Sequence, residues 1–161
     1  MTADTATVYI RNSNSPYAVV DTAIAFVNST GLGTYTFSNA SNGTPYYIQI
    51  VHRNSIETWC KNPQQFTASA LTYNFTNANA QAYGDNMIQV DASPVKFAIY
   101  GGDVNRDGTV DATDVALIDN DAQGFVSGYV VTDLTGDDFV DGTDFLIADN
   151  NAANFVSAIT P

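Results

Sequence analysis

Between residues 103 and 114 the chain sets oxygen-bearing side chains at Asp103, Asn105, Asp107, Asp111 and Asp114, with Gly108 among them. Counted from Asp103, these are positions 1, 3, 5, 9 and 12 of a twelve-residue loop, with glycine at position 6. A hard divalent cation such as calcium takes six to eight oxygens at roughly 2.3–2.6 Å. A short loop supplies them only if alternate side chains point inward and the backbone turns sharply once. Gly108 makes that turn without the penalty of a Cβ. Thr109, at position 7, contributes only its main-chain carbonyl. Val110, at position 8, is expected to meet its counterpart Val140 through a short β-bridge.

Thirty residues later the pattern recurs as Asp133, Thr135, Asp137, Asp141 and Asp144, with Phe139 at position 7. The copies continue in step, since Asp119-Asn120, Ala122 and 125–127 match Asp149-Asn150, Ala152 and 155–157. A repeat in register, with a carboxylate at position 12 of each copy, is a specific signal. The second copy departs twice. Thr135 offers a hydroxyl in place of an amide or carboxylate, and Asp138 stands where glycine is expected. Asp tolerates the left-handed conformation better than most residues, but at a cost. Two calcium sites are therefore expected, the second the weaker.

Each loop runs into a short helix, from 113 to about 123 and from 143 to about 153. Their apolar faces are expected to be Val115, Leu117, Ile118 and Ala122, then Phe145, Leu146, Ile147 and Ala152. No helix leads into either loop: Gly101-Gly102 precedes the first and 128–131 the second. That absence separates the segment from paired EF-hands with helices on both sides of each loop.

A duplicated loop–helix without entering helices resembles the dockerin domain, type I, over residues 102–157. The resemblance implies a domain that folds on calcium and docks onto a protein partner, usually a cohesin. The positions matching the recognition pair are Ala112-Thr113 and Gly142-Thr143. Threonine fits, whereas Ala112 and Gly142 depart from the usual polar residue. Asp119-Asn120 and Asp149-Asn150 stand where many dockerins are basic. A rigid calcium-braced joint, packed on its own sandwich or on the next subunit, is the alternative use of such a segment.

Charge follows the same division. The chain has 161 residues and a formal net charge of −12. Residues 1–100 carry five acids and four bases; residues 101–161 carry twelve aspartates and the single base Arg106. The boundary between two domains, 1–100 and 101–161, is expected there. Two calcium ions would lower the local charge of the acidic third from −11 to −7, so metal binding and folding should be coupled. So acidic a chain lacks the basic face that a nucleic-acid partner requires.

The first hundred residues read as strands and turns. Runs rich in β-branched and aromatic residues lie at 7–10, 18–26, 34–37, 46–52, 71–75, 87–90 and 95–100, separated by Asn-, Ser- and Gly-rich turns. Tyr35 and Phe37 share one face, as do Tyr46, Ile48 and Ile50, the alternation of a sheet with one buried face. The stretch from Gly33 to Ile50 resembles the carboxypeptidase regulatory-like, prealbumin-type β-sandwich. That resemblance implies a structural or carbohydrate-facing appendage of a larger secreted protein. The expected upstream strand is missing or short, which would leave an edge open to strand addition by another chain. The fold class is thus α+β and multi-domain: an all-β Ig-like sandwich followed by a small α-helical domain with two EF-hand-type loops.

One His, one Cys and one Glu, in no catalytic arrangement, speak against an enzyme. His52-Arg53-Asn54, with Glu57 and Trp59, is a weak candidate for a sugar site; a core aromatic and a surface ion pair account for it better. No apolar run approaches the length of a membrane span. The first residues form no signal peptide, and a leader removed from a secreted or cell-surface protein is expected. Four Asn-x-Ser/Thr sequons at Asn28, Asn39, Asn42 and Asn74 fit a surface location. Two functions remain: a spacer carrying a calcium-dependent docking domain, or a repeating subunit of an extracellular filament joined by strand complementation and stiffened by calcium. The partner is accordingly a cohesin-like domain or neighbouring copies of the chain.

Overall fold

A computed structural model describes residues 4–161. Strand β1 (Asp4–Asn12) alternates as its sequence dictates: Ala6, Val8 and Ile10 are buried while Thr5, Thr7 and Tyr9 face the other way. It pairs antiparallel with β2 (Val19–Val27) on one side and β3 (Pro45–Val51) on the other. The sheet continues through β4 (Thr58–Trp59), and β5 (Gln64–Gln65) pairs with the start of β3. A separate hairpin joins β6 (Ile88–Ala92) to β7 (Val95–Ala98).

Two expectations about this part are corrected. The first strand is neither missing nor short: β1 has nine residues and lies inside the sheet, between β2 and β3. The runs at 34–37 and 71–75 form no ladder. Their aromatic and aliphatic side chains still pack on the buried face, where Tyr35, Phe37, Leu71, Tyr73 and Phe75 cover Val8, Ile48 and Cys60. Alternation places Tyr35 and Phe37 on the covered face but does not decide whether the backbone finds a strand to pair with, and it misses Gln49, only 2% exposed on the face expected to be wet. In place of a second full sheet, the described residues show one five-stranded sheet with an irregular cover and a hairpin.

The acidic third folds around two helices, α1 (Ala112–Gln123) and α2 (Gly142–Ala153). Each begins with the same device. The Asp111 carboxylate accepts the Thr113 N–H while Asp114 accepts that of Asp111; Asp141, Thr143 and Asp144 repeat it. Ile118 and Ala148 are fully buried between the helices, with Val104 and Val140. Leu117, Leu146 and Ile147, expected in the apolar faces, are exposed by 37% or more, and Ala148 takes the central place instead. Helices this short need only one narrow buried stripe, so the flanking leucines and isoleucine fall outside it.

The sheet and the helical part share a core. Ile56, just before β4, is buried against Val110 and Val156, with Tyr100 and Ala152 around them. Gly102 donates its N–H to the Asn54 carbonyl at 2.8 Å. Gly102 has φ +115°, and a Cβ there would meet Val110 Cγ1 at 2.9 Å, so the link between the two parts must be a glycine.

Candidate metal centre

In the first loop the chain converges on a point. Asp103, Asp107 and Asp114 can offer one carboxylate oxygen each, all within 4.8 Å of one another. Oxygens around one calcium ion lie at most about twice the roughly 2.4 Å metal–oxygen distance apart, so the separation fits. Asp103 and Asp114 are buried, whereas Asp107 is open to solvent. Burial raises the Asp103 carboxyl above its ordinary range; the Gly108 N–H works against this, and the charges of Asp114 and Asp107 add to it. A buried acid crowded by like charges is relieved by a cation in its midst.

Backbone amides hold these carboxylates. Asp103 accepts the N–H groups of Asp107 and Gly108, both at 3.1 Å. Asp114 accepts those of Val104 at 2.9 Å and Asn105 at 3.2 Å. Asn105 accepts the Asp107 N–H at 2.8 Å and donates to the Asp107 carboxylate at 3.0 Å. Asp111 lies beside the site, its carboxylate engaged in capping α1. Thr109 forms a bridge with Ser157, in which the Gly108 carbonyl and Val110 N–H face the partner segment. The carbonyl of Thr109 therefore faces the loop interior, the side on which its N–H binds Asp107.

The second loop repeats the framework. Asp133 accepts from Gly136, Asp137 and Asp138, and Asp144 from Leu134 and Thr135. Thr135 Oγ1 donates to Asp133 at 3.3 Å, and Phe139 N–H binds Asp137 at 3.0 Å. Among the described residues, however, Asp133, Asp137 and Asp144 do not form a group as close as the first loop's. Both loops turn twice through left-handed backbone: Arg106 (φ +62°) and Gly108 (φ +88°) in the first, Gly136 (φ +73°) and Asp138 (φ +70°) in the second. Each copy thus spends one glycine and one larger residue on the two turns, with the order reversed. The reading of position 6 alone missed this, although Gly136 signals it.

The bridge between the loops is also corrected. Val110 binds Val156, not Val140, through its N–H at 2.8 Å, and Val140 binds Val126 at 3.0 Å. Each loop pairs with the segment that follows the other loop's helix, so the two repeats exchange strands. The repeated 125–127 and 155–157 segments are the signal that could have revealed it.

Ala112, Thr113, Gly142 and Thr143 are all exposed on the first turns of α1 and α2. Ala112 lines a groove of about 480 Å³ with Val115, Ala116 and Asp119 of one helix and Phe145, Asp149 and Ala152 of the other. Phe125 and Phe155, equivalent in the repeat, are nearly fully exposed with φ +54°. The weak sugar-site candidate is not an open platform. Trp59 is buried, donates to Glu57 at 3.0 Å and sits edge-on to Tyr17 and Tyr47. His52, Arg53 and Asn54 belong to the joint with the helical part.

The helical part is a duplicated loop–helix module whose first loop fits calcium. Residues 101–152 match the family model described as the dockerin type I domain. No curated protein and no solved structure matches the chain. Among the described residues no helix is long and apolar enough to cross a membrane.

Proposed function

We propose that the chain is a non-catalytic calcium-binding docking module of a secreted or cell-surface protein, in which residues 1–100 act as a spacer and residues 101–161 engage a protein partner. The observation that carries this reading is the convergence of Asp103, Asp107 and Asp114 in a loop whose sequence matches the dockerin family. Bound calcium would supply the positive charge that lets these carboxylates sit together. Asp103, Asn105, Asp107, Asp114 and the Thr109 carbonyl would hold it in the first loop, with Asp111 beside them. Asp133, Thr135, Asp137, Asp144 and the Phe139 carbonyl would do so in the second, with Asp141 in the place of Asp111.

The exposed pairs Ala112-Thr113 and Gly142-Thr143 flank the helix face offered to a partner. Asp119 and Asp149 both line the groove on that face. Charge complementarity favours a cohesin-like partner that is basic where it meets them. A second reading, self-assembly through strand addition, is favoured by the terminal place of β2 in the sheet and by its exposed Ile24 and Phe26.

Calorimetric titration of the full chain with calcium, alongside far-ultraviolet circular dichroism with and without EDTA, tests the reading. Two unequal binding events and a loss of helical signal on chelation are expected. A helical signal indifferent to EDTA, with no heat of binding, would overturn it. Solution mass at millimolar calcium separates the docking reading, a monomer, from self-assembly.

A further inference from the structure

The two loops differ in a feature that lies outside both of them. Arg53, at the end of the sheet, is only 10% exposed, and its guanidinium is pinned on three sides. Nε donates to Asp4 at 2.8 Å, Nη1 donates to the Val130 carbonyl, and the group lies 4.4 Å over the Tyr129 ring. Its remaining nitrogen, Nη2, stands 4.0 Å from Oδ2 of Asp133, the buried position-1 residue of the second loop. Among the described residues no Lys, Arg or His side-chain nitrogen comes as close to Asp103, the equivalent residue of the first loop.

We propose that Arg53 is a built-in competitor for the cation at the second loop, so that the sheet sets the two calcium affinities apart. The inference rests on the reading of both loops as calcium sites and adds a cause of inequivalence separate from Thr135 and Asp138. A fixed positive charge beside a ligand carboxylate repels an arriving cation, and it does so strongly where water is largely excluded. Arg53 cannot swing away, because Asp4 and the Val130 carbonyl hold it. Asp4 in turn draws part of the guanidinium's charge, so it moderates the competition. Arg53 and Asp4 therefore act on the second loop in opposite directions, although both belong to the same joint.

The test is a calcium titration of the full chain followed by ¹H–¹⁵N spectra, with the Gly108 amide reporting the first loop and the Asp138 amide the second. Arg53→Gln should tighten the second loop by roughly ten-fold, the scale of outer-sphere effects on metal affinity, and leave the first within about two-fold. Asp4→Asn should weaken the second loop, and Arg53→Lys, which keeps the charge, should leave it weak. If Arg53 only braces the joint, Arg53→Gln and Asp4→Asn will both weaken the second loop, and the proposal fails. An unchanged second loop in Arg53→Gln also overturns it while leaving calcium binding itself intact. If neither amide moves with calcium in the unmodified chain, the underlying reading falls, and the proposal with it.

Discussion

The side-chain amide of Asn54 donates a 2.9 Å hydrogen bond to the main-chain carbonyl of Asp133, tying the end of the sheet to the first residue of the second loop. The same side chain meets His52 Nδ1 at 2.9 Å through its oxygen, and the Asn54 carbonyl accepts from Gly102. One buried asparagine thus touches the sheet, the link and the second loop. Asn54→Ala removes both side-chain bonds and leaves a buried carbonyl unpaired, a loss of about 1–3 kcal/mol. Urea unfolding of the calcium-loaded chain should show that loss. A change below about 0.5 kcal/mol, the scale of an ordinary surface substitution, would show that the joint does not depend on this contact.

Asp4 gives the joint a pH dependence. Burial alone would raise its carboxyl, but hydrogen bonds from Arg53, Tyr129, the Thr5 amide and His52 together outweigh that and hold it well below the usual carboxylate range. The folded state therefore binds this proton less readily than the unfolded state, and the stability Asp4 supplies grows with pH. It is fully present above the unfolded carboxyl's pKa of about 4 and is lost as pH falls from there toward the depressed folded value. The stability difference between the unmodified chain and Asp4→Asn should accordingly be constant near neutrality and shrink below about pH 4. Thermal unfolding of both proteins across that range measures it. A difference that persists undiminished in acid would rule the linkage out.

The helices and the first loop were legible because a calcium-type loop pattern fixes residue type position by position. Asp103, Asp107 and Asp114 come together as their spacing suggests, whereas Asp111 and Asp141, read from the sequence as metal ligands, cap the helices that follow. The exchange of strands was not legible. Val110, Val126, Val140 and Val156 are the same residue in equivalent surroundings, so the sequence fits pairing between loops as well as pairing with the segment after the opposite helix. The sheet shows a parallel limit. Tyr35 and Phe37 were rightly placed on the buried face, but their backbone covers the sheet without joining it. The role of Arg53 depends on a neighbour 80 positions away, Asp133, and no local pattern carries such a contact.

The second loop carries a removable strain. Asp138 holds φ +70° at the position that Gly108 fills in the first loop. A left-handed residue with a Cβ costs roughly 1–2 kcal/mol, less for Asp, and glycine gives back part of the gain through its freer unfolded chain. Asp138→Gly should therefore stabilise the calcium-loaded protein by up to about 1 kcal/mol, whereas Gly108→Ala should destabilise it. Melting curves at saturating calcium decide the matter. A lower melting temperature for Asp138→Gly would mean that the Asp138 side chain contributes more than its backbone costs.

Cys60 is a core residue whose chemistry is suppressed by its surroundings. It is fully buried against Val8 and Ile48; its sulfur accepts the Ile48 N–H at 3.0 Å and donates to the Asn62 carbonyl at 3.2 Å. Burial pushes the thiol up to about 11, a shift that the hydrogen bond from Ile48 only partly offsets. Because the thiolate is the reactive form, native protein at pH 8 should resist a disulfide reagent such as dithionitrobenzoate, and unfolded protein should react with one equivalent. Labelling should then track global unfolding: Asn54→Ala, which weakens the joint, should speed it only as far as it lowers overall stability. Rapid labelling of the folded chain would show that the irregular cover formed by Tyr35, Phe37 and Tyr73 opens independently of the sheet beneath it.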